Sequence, residues 1–180
     1  MQRLLMNDRK SRPMKKTLII FLCALAFLAD VSVVYAANDD LMRRTQDGQR
    51  LIFARQYSGS LKVFEEIIHD YPDSPAGFFG KMAVFEMRMI EREDFFLEKE
   101  FEQTAKDGLI RVSKVVRKKN PEVWDLFLAG SLLGLDGFYN ARKDNWGSAY
   151  VLGSKSRQIF RRVKEINPSI VDADFGLGMY

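Results

Sequence analysis

Residues Tyr57 to Pro72 read YSGSLKVFEEIIHDYP, and Tyr57, Ser60, Phe64, Ile67 and Pro72 stand there at offsets 0, 3, 7, 10 and 15. Steps of three and four keep side chains on one helical face, and a proline closes the helix because it lacks the N–H that would continue it. Gly59 and Ser60 are small enough to admit a partner helix. The residues before them, Asn38 to about Ala54, are polar with scattered apolar positions (Leu41, Met42, Leu51, Ile52, Phe53) and are expected to form that partner.

Downstream, Asp73-Ser74-Pro75 is a turn with Ser74 as N-cap and proline in the first helical position. The helix that follows is apolar around most of its circumference (Phe78, Phe79, Met82, Ala83, Phe85, Met87, Met89, Ile90), as in an element sandwiched between neighbours. Glu91 to Asp94 form a turn, and Phe95 to Lys119 are predicted as a long helix on Phe101, Ala105, Gly108, Val112, Val115 and Val116. Its last turns carry Lys114, Arg117, Lys118 and Lys119, where cations suit the helix dipole. Pro121 opens a helix with Trp124, Leu126, Phe127, Ala129, Gly130 and Leu133. Lys143-Asp144-Asn145 caps another, whose stripe is Trp146, Ala149, Tyr150, Gly153, Ser156, Phe160 and Val163 and which ends at Pro168. Phe175 to Gly178 begin one more.

Pro72, Pro121 and Pro168 lie 49 and 47 residues apart. The Tyr57–Pro72 pattern of aromatic, small, aromatic, aliphatic and proline resembles the second helix of a tetratricopeptide (TPR) repeat, whose usual period is 34 residues. One extra heptad in each helix of a pair lengthens that period to about 48 and rotates the stripe by only about 20° per heptad. The third pair carries the pattern in two frames seven residues apart, Trp146 with Ala149 and Ser156 with Phe160. HEAT-type repeats, at 40 to 47 residues, are the alternative this spacing leaves open.

The resemblance covers roughly residues 39 to 180 and is to TPR-like proteins of bacterial envelopes with lengthened helices. It implies an all-α fold of antiparallel helix pairs stacked as a right-handed superhelix, an alpha solenoid. Tyr57, Ser60, Phe64 and Pro72, then Trp146, Ala149, Phe160 and Pro168, then Leu177 and Gly178, take the repeat-packing positions, and Gly134 to Trp146 is similar to a linker. First helices in such proteins line a peptide-binding groove. The Lys/Asn carboxylate clamp that some use is missing, since Glu122 to Leu133 has no lysine, arginine or asparagine and Ala76 to Met87 has only Lys81. Phe79, Trp124, Phe127 and Phe175 are therefore the expected groove anchors.

The chain has 28 basic and 24 acidic residues, but six of the basic and two of the acidic ones fall within residues 1 to 36, leaving 22 of each sign. The basic character belongs to the leader, which argues against nucleic acid as partner. Lys15 and Lys16 precede the apolar run Thr17 to Ala29, and Val34-Tyr35-Ala36 offers a signal-peptidase site, so residues 1–36 are expected to be a signal peptide cleaved after Ala36, with Met14 as an alternative start. The run spans about 20 Å as a helix, short of the roughly 30 Å of a bilayer core. Cys23, the sole cysteine, lies in this leader, so the mature chain, 37–180, is expected to hold no disulfide or thiol chemistry.

His69 lacks converging partners for catalysis or metal binding, and the acids Glu91, Glu93, Asp94, Glu98, Glu100 and Glu102 lack the glycine-spaced loop of a calcium site. No catalytic, metal or cofactor site is expected. The expectation is a non-catalytic periplasmic scaffold for a protein or peptide partner or a second copy, truncated at its C-terminus. Its alternatives are the substrate-positioning repeat region of a longer enzyme and a subunit anchored in the inner membrane by an uncleaved leader.

Overall fold

The computed structural model describes residues 39–178, so the leader and the cleavage point after Ala36 lie outside the described residues. The fold is all-α, with no strand among the described residues. Helix α1 covers 39–53 and is followed by α2 (Tyr57–Asp70), α3 (Ala76–Arg92), α4 (Glu98–Arg117), α5 (Val123–Arg142), α6 (Trp146–Ile166) and α7 (Asp172–Gly178). From α2 onward each helix packs on the next, and α3 also packs on α5 and α5 on α7. This pattern of neighbour and next-but-one contacts is that of a helical repeat.

The first and third pairs are joined in the same way. Ser60 of α2 is fully buried and donates its hydroxyl to the Gly48 carbonyl of α1 at 2.9 Å. Ser156 of α6 is equally buried and donates to the Gly130 carbonyl of α5 at 2.8 Å. One turn further along, the Phe64 ring fills the space a Cβ would take at Gly48 and Gly80, and the Phe160 ring does so at Gly176, while at Gly130 a Cβ would come within 3.1 Å of Phe160 and 3.2 Å of Ile159. Glycine is required at Gly48, Gly80 and Gly176 by ring contact, because even one methyl group there would overlap the phenylalanine. The expected packing roles of Ser60, Phe64 and Phe160 have this physical content. Gly59, by contrast, leaves ordinary contact distance to Leu51, so Gly48 permits the close approach expected of Gly59.

The turns within pairs are also alike. Arg55, Glu93 and Asp144 all have left-handed backbone, with φ of 58°, 54° and 58°. In each turn the next residue donates its N–H five residues back, Gln56 to Leu51, Asp94 to Met89 and Asn145 to Asn140, which satisfies helix-end carbonyls as a Schellman motif does. Between pairs, Pro72 and Pro168 follow the ends of α2 and α6 as expected, but α4 ends at Arg117 rather than Lys119 and α5 starts at Val123, so Pro121 lies in the connection and does not open α5. Pro75 has helical angles (φ −74°, ψ −9°), and the Ser74 hydroxyl oxygen accepts the Ala76 N–H at 3.3 Å.

Four other expectations need correction. Residues 134–142 are not a linker but the second half of α5: Leu135 and Tyr139 continue its apolar stripe, and Gly137 lets α6 approach at Ala149 and Gly153. Trp146 and Tyr150, expected on the packed stripe of α6, are 66% and 77% exposed, because Trp146 is the first residue of α6 and α5 offers no turn beyond Arg142 for it to lie on. Gly178 has nothing within contact of its Cβ position, while Leu177 beside it packs on the core. Helix α4 starts at Glu98 rather than Phe95, since Phe95 and Leu97 turn into the core from the loop. Helix α2 has 14 residues and α6 has 21, a difference of seven.

Candidate functional site

Helices α1, α3, α5 and α7 line two adjoining cavities. The larger, of about 370 Å³, is bordered by Phe79, Phe127, Leu135, Phe138, Phe160 and Phe175, with Ser131 and Asp172. The smaller, of about 290 Å³, lies among Met42, Thr45, Gln46 and Gln49 of α1, Trp124, Phe127 and Leu128 of α5, and Asp172 and Phe175 of α7. Phe127, Asp172 and Phe175 border both. The four anchors named from sequence, Phe79, Trp124, Phe127 and Phe175, thus lie together along one groove.

The groove walls are aromatic and connected. Trp124 meets Phe127 edge to face with centroids 5.5 Å apart, and Phe127 meets Phe160 at 5.6 Å. Two groove hydroxyls are spent on their own helices, Thr45 donating to the Leu41 carbonyl at 2.7 Å and Ser131 to the Phe127 carbonyl at 3.0 Å. A ligand therefore meets rings and methylenes, with Gln46, Gln49 and Asp172 as the polar groups at hand. Phe175 remains 75% exposed and Trp124 half-exposed, a costly display in water unless something covers it.

Sequence reasoning missed Phe138, Leu135, Asp172 and the α1 residues of this groove. One signal was available. Phe79, Phe127 and Phe175 are each 48 residues apart, one phenylalanine at the same place on three successive odd-numbered helices.

A second polar region lies where α3, α4 and α5 meet. Arg142 of α5 donates to Glu86 Oε1 of α3 at 2.7 Å. Glu86 is 2% exposed, and its other oxygen has no hydrogen-bond partner among the described residues. Burial pushes the Glu86 carboxyl up, against the pull of Arg142. Asp136 is buried, accepts the Asn140 side-chain amide at 3.0 Å, and is pushed up to about 6, chiefly by burial and further by the Glu102 charge. Tyr139 stacks on Phe101 and donates to Glu102, and burial pushes its phenol up to about 12. Burial works against the Lys143 ammonium, but ion pairs to Glu98 (3.1 Å) and Glu102 (3.2 Å) outweigh it and hold the lysine protonated. The acidic run is thus paired in part within itself, Arg92 with Asp94 at 3.3 Å, and otherwise across helices, Glu91 with Arg55 at 2.9 Å and Glu98 and Glu102 with Lys143 just past α5.

His69 is exposed at the end of α2 and, among the described residues, pairs with Asp70 at 2.8 Å. Among the described residues no three of His, Cys, Asp and Glu converge as a metal site needs. No described helix is long and apolar enough to cross a membrane. No protein family, no curated protein and no solved structure matches the chain.

Proposed function

We propose that the chain is a non-catalytic scaffold of TPR-like repeats with lengthened helices, exported to the periplasm of a bacterial envelope, and that it holds a protein or peptide partner along the groove of α1, α3, α5 and α7. The observation that carries this reading is the phenylalanine series Phe79, Phe127 and Phe175, which puts one ring from each of α3, α5 and α7 along the groove. A repeat that presents the same apolar residue at each step suits an elongated apolar ligand, because each step adds an equivalent contact. The serine–glycine joints and the equal within-pair turns support the repeat reading, and the signal-like leader, outside the described residues, supports export.

Affinity capture from the native envelope tests the proposal. The wild-type chain is expected to retain a protein partner, and Trp124→Ala combined with Phe175→Ala is expected to lose it. Phe175 is 75% exposed and its truncation should leave thermal unfolding close to wild type, whereas Trp124, 36% exposed and packed on Phe127, should lower it moderately, so capture is compared at a temperature where both chains are folded. Retention of the same partner by the double variant would reject the groove as the binding surface.

A further inference from the structure

We propose that the end of the molecule where α4 and α6 finish docks on a bilayer containing anionic lipids. Arg162 of α6 donates to the carbonyl oxygens of Val116 at 2.9 Å and Lys118 at 3.0 Å. That tie brings the C-terminal ends of two helices side by side. Around it Arg117, Lys118 and Lys119 are exposed, and their side chains form no ion pair or hydrogen bond among the described residues.

The acids of the neighbouring turns do not neutralise this patch. Asp73 is taken by Lys114 at 2.8 Å and Asp174 by Lys164 at 2.8 Å. In sequence, Glu122 and Glu165 are the remaining acids beside these turns, two against the three cations Arg117, Lys118 and Lys119. Two aliphatic side chains stand out among these charges, Val116 at 36% and Ile166 at 49% exposure, Ile166 lying one turn beyond Arg162 on the same edge of α6.

Exposed aliphatics ringed by long cationic side chains suit the headgroup region of a membrane. The aliphatics enter the acyl boundary, the lysine and arginine stems run along it, and their charged ends meet lipid phosphates. Duplex nucleic acid would use the cations but has no place for Val116 and Ile166. The patch also lacks the aromatic platform on which single strands stack, and residues 37 to 180 carry 22 charges of each sign.

The test uses the full chain with Cys23→Ser, which removes its only cysteine, and a polarity-sensitive dye on a new cysteine at Asn120→Cys, beside the patch. A parallel chain carries the dye at Ser58→Cys, at the start of α2. The pair separates contact through this patch from contact through the leader. The dye at position 120 is expected to shift to the blue with vesicles of phosphatidylglycerol in phosphatidylcholine, to stay unchanged with phosphatidylcholine alone, and to return on addition of salt, while the dye at position 58 stays unchanged. Lys118→Gln with Lys119→Gln is expected to weaken vesicle affinity at the 120 dye roughly 30-fold, and Ile166→Ser to weaken it with the salt dependence kept. Equal response to neutral vesicles, undiminished affinity of the glutamine variant, or a response at position 120 to duplex DNA but not to vesicles would overturn the proposal.

Discussion

At the scale of single residues, two positions have consequences far larger than their size. Gly80 lies directly over the Phe64 ring, so Gly80→Ala adds a methyl group where the ring already is. Despite the better helix propensity of alanine, the variant is expected to lose about 1–3 kcal/mol in denaturant unfolding. Gly147→Ala, with nothing near its Cβ position, serves as the control. Asp136 acts through its proton. Its carboxyl titrates near 6 in the fold and near 3.8 otherwise. Below the lower value the group is neutral in both states; between the two the folded chain keeps a proton that the unfolded chain has released. Stability therefore falls as pH rises through this window and stays lowered above it. Asp136→Asn is expected to flatten that part of the stability profile, by an amount on the order of 2 kcal/mol, as read from unfolding free energies between pH 4 and pH 7.

At the scale of elements, the turns and ties between helices decide what the sequence discloses. Glu93 holds a left-handed conformation that costs a non-glycine residue about 1 kcal/mol, so Glu93→Gly is expected to raise the melting temperature slightly while α3 and α4 keep their ends. Arg142 ties α5 to α3 through Glu86. Removing it by Arg142→Ala leaves a buried carboxylate alone and is expected to cost about 3 kcal/mol; adding Glu86→Leu should restore much of that loss, since the unpaired charge goes with it. The helices were legible because apolar steps of three and four and the closing prolines are local signals. That Phe79, Trp124, Phe127 and Phe175 lie along one side was legible because large aromatics on the first helices had no other partner in the pattern. Local signals could not show that Gly134 and Gly137 continue α5, since glycine ordinarily weakens a helix and only the approach of α6 explains Gly137. Nor could they show the three equal turns, because arginine, glutamate and aspartate stand where glycine would have advertised them. Lys143 as the partner of Glu98 and Glu102 depends on a contact across more than forty residues, which no spacing rule supplies.

At the scale of the whole molecule, the joints of the first and third pairs differ from the second in bulk. Phe64 and Phe160 face glycines, whereas 48 residues from each the chain has Val112, and the places of Gly80, Gly130 and Gly176 are taken by Leu128 and Met82. Val112 lies in the core cluster that also holds Met82, while Leu128 is buried in the cluster of Phe64. Deleting residues 73–120, which removes α3 and α4, would take away Gly80 and leave Leu128 at the corresponding place beside the Phe64 ring. That chain is expected to unfold at lower denaturant than the same deletion carrying Leu128→Gly, by about 1–3 kcal/mol, the cost of overfilling a packed site. The units are thus not interchangeable beads. Because the residues at these corresponding places differ in bulk, loss or gain of a single helix pair would change what its neighbours pack against and leave a mismatch at the seam.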